Sequence, residues 1–163
     1  MYERILVPVD GSPMSTQGLD EAIKLAKLTG AGLRLVHVVD QLTFATGYEI
    51  YTGDVIAMLR EAGEQILAEA KARAQASGIV ATTFLCETFG SRVCDIVVEQ
   101  AKQWEADLIV IGSHGRRGMS RLFLGSDAEQ VIRMAPVPVL LVHGADAKAG
   151  PAIAQGSAAA VPA

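Results

Sequence analysis

The residues best equipped to do chemistry lie in one stretch. Gly112 and Gly115 are separated by two residues, Gly115 and Gly125 by nine, and Ser126 follows directly. Arg116, Arg117 and Arg121 stand between them in a chain that is otherwise net acidic. The segment Leu108–Ile111 is apolar and β-branched, so it reads as a buried strand, and the residues from Ser126 onward read as a helix. A strand that stops at glycines lets a ligand approach the backbone without meeting a Cβ. A helix start presents unpaired N–H groups and a partial positive charge. The pattern therefore predicts a phosphate site. Glycines that only make turns are the plainer alternative, and Gly118 fits it; the spacing within a strand–loop–helix frame favours the anion.

Other residues qualify this reading. Asp10 follows a second buried strand, where an unpaired carboxylate is costly. It either caps the next helix or accepts from ribose hydroxyls or an adenine amine, and a place at the end of a sheet strand favours the latter. Ser126 can donate to a phosphate oxygen, cap its helix, or do both. His114 reads as a phosphate-contacting or loop-packing group, because no second residue is placed to orient it as a base. Arg116 and Arg117 either clamp phosphates or form a solvated loop. Tyr48 and Tyr51 either pack over a ligand or cover the sheet. His37 and His143 fall in strands and belong to the packed structure.

Several chemistries lack their signatures. No G-x-G-x-x-G follows the first strand, and no Walker sequence supplies a phosphate loop and lysine. There is no G-x-S-x-G elbow. No histidine and carboxylate cluster has metal-ligand spacing, although a divalent ion can arrive with nucleotide phosphates.

The elements that must position these residues alternate in type. Arg4–Val9 is an apolar strand, ended by Asp10-Gly11. Ser12 is the expected N-cap, with Pro13 at the first helical position; Leu19, Ala22, Ile23 and Ala26 form one face, and Gly30 closes the helix. Leu33–Val39 is the second strand. Residues 40–52 form a loop. The next helix places Val55, Leu59, Ala62, Ile66 and Ala70 along its stripe and ends at Ser77-Gly78. Ile79–Cys86 alternates weakly, as an edge strand does. Gly90-Ser91 opens a helix with Val93, Val97, Ala101 and Trp104 facing the core. Leu108–Ile111 is then the central strand, and Ser126–Met134 the last helix, stopped before Pro136 and Pro138. Val137–Val142 is a final strand whose Pro138 suggests an edge. Helices between strands imply parallel, right-handed crossovers, hence an α/β, doubly wound five-stranded parallel sheet with helices on both faces. Such sheets bind ligands at the carboxyl ends of strands, where the strand order reverses. If the first strand lies beside the fourth, Asp10 and Gly112 face each other there.

The totals agree with one soluble domain. The chain has 163 residues, half of them apolar and 20% charged. A net charge of -4 argues against a nucleic-acid binder, since phosphate backbones demand a basic face. No run is long enough to cross a membrane. The start, Met1-Tyr2-Glu3-Arg4, leads into a strand, so no signal peptide is expected. Cys86 and Cys94 lack ligand spacing and are expected reduced and at least half-buried, in a cytoplasmic protein. Residues 144–163 are rich in Ala, Gly and Pro and are expected to form a flexible tail.

The segments RILVPVDGS, LVHVVD, ADLIVIGSHGRRG, LFLGSDAEQVI and APVPVLLV together resemble the universal stress protein family over residues 1–143. The G-x2-G-x9-G-[ST] pattern of Gly112, Gly115, Gly125 and Ser126 resembles that of the family's ATP-binding branch; the other branch lacks it and does not bind ATP. The resemblance implies a sheet of order 3-2-1-4-5 and ATP at the switch point, with or without Mg2+ carried by its phosphates. It implies adenine near Asp10 and the backbone of Val38, Pro8 and Val9 lining the ribose and base pocket, and Gly115, Gly125 and Ser126 holding phosphates. It also implies a homodimer, often through the last strand, here residues 137–142; an exposed edge needs a partner in any case. Asp127 departs from the family's usual apolar residue. It suits the helix dipole but repels phosphates if turned inward, so it is expected to point outward or to meet Arg116 or Arg117. The expected function is a nucleotide-responsive, dimeric stress-response module with no assigned catalytic residue. The alternatives are a slow ATPase or a phosphoryl or nucleotidyl transferase using the same site, with His114 and the arginines stabilising charge, and an interaction protein with an unused pocket.

Overall fold

Strand and helix alternate from Arg4 to Val142 in a computed structural model that describes residues 1–41, 53–113 and 124–143. The elements are β1 (Arg4–Pro8), α1 (Pro13–Thr29), β2 (Gly32–Asp40), α2 (Gly53–Ala76), β3 (Ala81–Thr88), α3 (Val93–Gln103), β4 (Leu108–Gly112), α4 (Ser126–Met134) and β5 (Val139–Val142). All pairings are parallel, and the sheet order is β3-β2-β1-β4-β5. The middle strand is thus β1; β4, although all five of its residues are buried, lies one place to the side. The tail beyond His143, Tyr48 and Tyr51, and the segment containing His114, Gly115, Arg116, Arg117, Gly118 and Arg121 lie outside the described residues.

Local chemistry accounts for the element ends. Ser12 Oγ accepts from the N–H of Ser15 at 3.1 Å, and Pro13 starts α1, where its missing N–H costs nothing. Gly30, at φ 77°, closes the helix by donating to the Ala26 carbonyl. The N-cap of α4 is Gly125, which has no side chain to cap with, and the helix runs Ser126–Met134 as expected.

Each face of the sheet carries its own core. Ile5, Val7, Val9, Leu33 and Leu35 pack with α1 and α2 residues, among them Leu19, Ala22, Ala26, Leu67 and Ala74. Leu6, Val36, Ile109 and Ile111 pack with Cys94, Val97 and Ala101 of α3 and with Ala128 and Val131 of α4. Side chains alternate between faces along a strand, which explains the division.

The α2 stripe differs from expectation. Val55 and Ala62 are exposed, whereas Gly63, Leu67, Ala70 and Ala74 are buried. Two adjacent apolar stripes compete on this helix, and the one with a glycine wins because the sheet beneath is close. A Cβ at Gly63 would lie 2.8 Å from His37 Cδ2 and 2.9 Å from Leu85 Cδ1.

The edges are β3 and β5. β3 starts at Ala81, two residues later than expected. β5 starts at Val139, just after Pro138, whose carbonyl accepts from Ile109 N at 3.0 Å. Proline keeps its acceptor while lacking a donor, so it joins the ladder through that carbonyl. His143 falls past the end of β5 and is exposed, not packed in a strand. Cys94 is buried, Cys86 is half-buried, and both are free thiols.

Candidate functional site

The turn after β1 is closed by bonds within six residues. Asp10 Oδ1 accepts from Ser12 N at 2.9 Å, and Asp10 N donates to Ser15 Oγ at 3.1 Å. Gly11 takes a left-handed φ of 78° between them, a conformation that glycine adopts freely. Asp10 therefore organises the turn, while the N-cap itself is Ser12.

This turn rests against the end of β4. A Cβ on Gly112 would lie 2.6 Å from the Met14 carbonyl oxygen and 3.3 Å from Ser15 N, and one on Gly18 would lie 3.1 Å from Gly112 N. The first turn of α1 thus occupies the space that a side chain at 112 would need. Helix packing is therefore a reason for glycine here that the sequence did not suggest. The pairing on which the facing of Asp10 and Gly112 was conditional is present, Ile5 with Leu108 and Leu6 with Ile109, and the groups brought against Gly112 are Met14 and Ser15, at the far end of the Asp10 turn.

Ser113, one residue on, is a position that motif reading passed over. It is buried; its N–H donates to Val142 O at 2.8 Å, and its carbonyl accepts from Gly125 N at 2.9 Å. One peptide segment therefore joins the end of β4 both to β5 and to the N-cap of α4. The sign in the sequence was a small polar residue between a buried strand and a glycine-rich loop, where both backbone groups require partners. The N–H groups of Ser126, Asp127 and Ala128 open α4, where helix geometry supplies no intrahelical acceptor. Ser126 and Asp127 are both exposed at the helix start.

The remaining expected residues divide by face. Pro8 continues the alternation of Leu6, and Val38 packs partly against the α3–α4 core, so these two and the start of α4 share one side of the sheet. Val9 points the other way, into the α1–α2 core; only its backbone can reach the crevice. That backbone is held by β2, with Val9 N donating to Val36 O at 2.8 Å and Val9 O accepting from His37 Nδ1 at 2.7 Å. On the α1–α2 side of the turn a separate cavity of about 140 Å³ is lined by Val9, Gly11, Ser15 and Leu19 with Ile66 and Arg73 of α2.

The arrangement has the means to bind an anion at the α4 start and a polar ring or hydroxyl at Asp10. Among the described residues no group of three or more His, Cys, Asp or Glu side chains could hold a metal ion, and no helix is long and apolar enough to cross a membrane.

Comparison with known proteins agrees with this architecture. The model of the universal stress protein family matches residues 1–143. The universal stress protein MJ0531 of Methanocaldococcus jannaschii is 35% identical over 143 residues, covering 87% of this chain and 82% of that protein. The structure of a universal stress protein family member from Burkholderia pseudomallei is similar with a TM-score of 0.71 at 31% identity, over 86% of this chain and 96% of that one. The universal stress protein of Archaeoglobus fulgidus, solved in complex with dAMP, gives a TM-score of 0.61 at 26% identity, over 86% and 97%.

Proposed function

The chain belongs to the universal stress protein family, and on that premise we propose that it is a cytoplasmic, homodimeric stress-response module that binds ATP at the carboxyl ends of β1 and β4. The observation that carries the reading is the meeting of the Asp10 turn with the Gly112-Ser113 end of β4, to which the N-cap of α4 is bonded through Gly125 N and Ser113 O. This is the switch point of the sheet, since β2 lies on one side of β1 and β4 on the other, and open α/β sheets bind ligands there. The relative solved with dAMP supports an adenine nucleotide as the ligand class.

The donor set suits that ligand. In this reading Asp10 accepts from ribose hydroxyls or the adenine amine, and Pro8 with the backbones of Val9 and Val38 lines the base. The open first-turn N–H groups of α4 from Ser126 onward, reached past the side-chain-free Gly125, hold the phosphates and any Mg2+ they carry, with His114, Gly115 and Arg116 of the intervening loop. The N-cap Gly125 has no side chain to compete for those N–H groups. Gly112 sets the approach of α1, and Asp127 stays on the outer side. The dimer forms through β5, an edge strand whose Leu140 is 38% exposed, because an apolar edge calls for pairing. No side chain is assigned as a catalytic base.

The test is the mass and ultraviolet spectrum of material released by denaturing the purified protein, with thermal shifts on adding AMP, ADP and ATP-Mg. Released ATP and an upward shift are expected. Sustained phosphate release would replace a binding module with a slow ATPase or transferase. Neither released nucleotide nor any shift would refute the reading.

A further inference from the structure

We infer that His37 is a positioning residue for the nucleotide crevice, acting through the Val9–Asp10 peptide. The inference rests on the nucleotide reading above and extends it to a residue outside the glycine pattern. The two polar groups of that peptide are Val9 O and Asp10 N. The first accepts from His37 Nδ1 at 2.7 Å and the second donates to Ser15 Oγ at 3.1 Å. A peptide is planar, so bonds at both ends fix its rotation. That rotation sets the direction in which the Asp10 side chain leaves the backbone, at the very end of β1. The sheet ladder does not perform this task here; two side chains do.

A carbonyl only accepts, so the imidazole must carry its proton on Nδ1. The ring is 6% exposed, and a polar ring so deeply placed requires partners. Its neighbours on the same face of β2, Leu33 and Leu35, are apolar. Room for the ring is made by α2, since a Cβ at Gly63 would lie 2.8 Å from His37 Cδ2. A glycine inside a helix is unfavourable by about 0.5–1 kcal/mol relative to alanine, a penalty the helix accepts where the ring lies beneath it. Gly63, His37, the Val9–Asp10 peptide and Ser15 thus form one continuous mount for the Asp10 carboxylate.

The test uses the full chain and three variants. His37→Asn places an amide nitrogen near the position of Nδ1, His37→Gln near that of Nε2, and His37→Leu removes the donor. Binding of AMP and ATP-Mg is measured by calorimetry, thermal unfolding is followed without nucleotide, and nitrogen NMR reads the tautomer of wild-type His37. The Leu and Gln variants are expected to bind both nucleotides roughly tenfold more weakly, the scale of one net hydrogen bond, with Asn restoring most of the affinity. The tautomer is expected to be Nδ1–H. Should the Leu variant not fold, the comparison of Asn with Gln carries the test. Equal affinities across the series, an Asn variant as weak as Gln, or an Nε2–H tautomer would overturn the inference. If the wild type binds neither nucleotide, the proposed function falls and this role of His37 falls with it; the tautomer then still reports whether the ring holds the peptide.

Discussion

Replacing Gly112 by alanine distinguishes two explanations of the same glycine. The new Cβ would lie 2.6 Å from the Met14 carbonyl oxygen and 2.8 Å from its carbon, against about 3.3–3.6 Å for a close C–H···O contact. These are backbone atoms in the first turn of α1, a turn already held by the Ser12 cap and the Asp10 bonds, so neither side yields cheaply. Overpacking of this kind costs about 1–3 kcal/mol. Gly112 is outside the left-handed region, so alanine can take its dihedrals and recovers about 0.4–1 kcal/mol through a less disordered unfolded chain. The net expectation is a loss of about 1–2 kcal/mol. For a chain of this size that corresponds to a fall in Tm of about 2–8 °C. The assay is thermal and urea unfolding of nucleotide-free protein, with an unchanged m-value showing that stability and not unfolded-state compactness has moved. An unchanged or higher Tm would refute the tight approach of α1 to β4. Intact stability with lost nucleotide binding would return Gly112 to the role of a ligand-contacting glycine.

Substitutions at three further positions probe neighbouring features. Ser12→Ala removes the acceptor for Ser15 N and should cost about 1 kcal/mol, read as a lower urea midpoint; an unchanged midpoint would show the cap to be dispensable. Asp10→Asn keeps an acceptor for Ser12 N, whereas Asp10→Ala loses it, so only alanine should lower the Tm of nucleotide-free protein while both weaken adenosine compounds. Wild-type affinity in both would exclude Asp10 from the site. Burial pushes the Cys94 thiol above its ordinary pKa, as burial and then Glu87 do for Cys86. Raised thiols contribute no penalty below the ordinary thiol range and destabilise the fold as pH rises through the folded values. Cys94→Ala should therefore flatten the alkaline fall in stability, and an equally steep fall in the variant would count against that assignment.

Much of this protein follows from local chemistry. Ser12-Pro13 and Gly30 bound α1 because capping and left-handed closure involve only neighbours in the chain, and the bounds of α4 follow from Gly125-Ser126 and the prolines after Met134 for the same reason. Alternation of strand and helix similarly implies a parallel, doubly wound sheet. The strand order came from family resemblance, since alternation does not say on which side of β1 a crossover lands; the pairing of β1 with β4 is what brings the turn after β1 and the start of α1 to Gly112. Other features depend on what lies opposite. The burial of Gly63 in place of Ala62 depends on a histidine ring from β2, the reason for Gly112 depends on a carbonyl from α1, and the facing of Pro8 and Val9 depends on which helices cover each side. Ser113 joins three elements through its backbone, and a backbone bond leaves no mark on residue type. Contacts made across a hundred residues of chain are set by packing in space, so spacing along the chain predicts the elements but not which backbone and side-chain groups meet at the Asp10 turn.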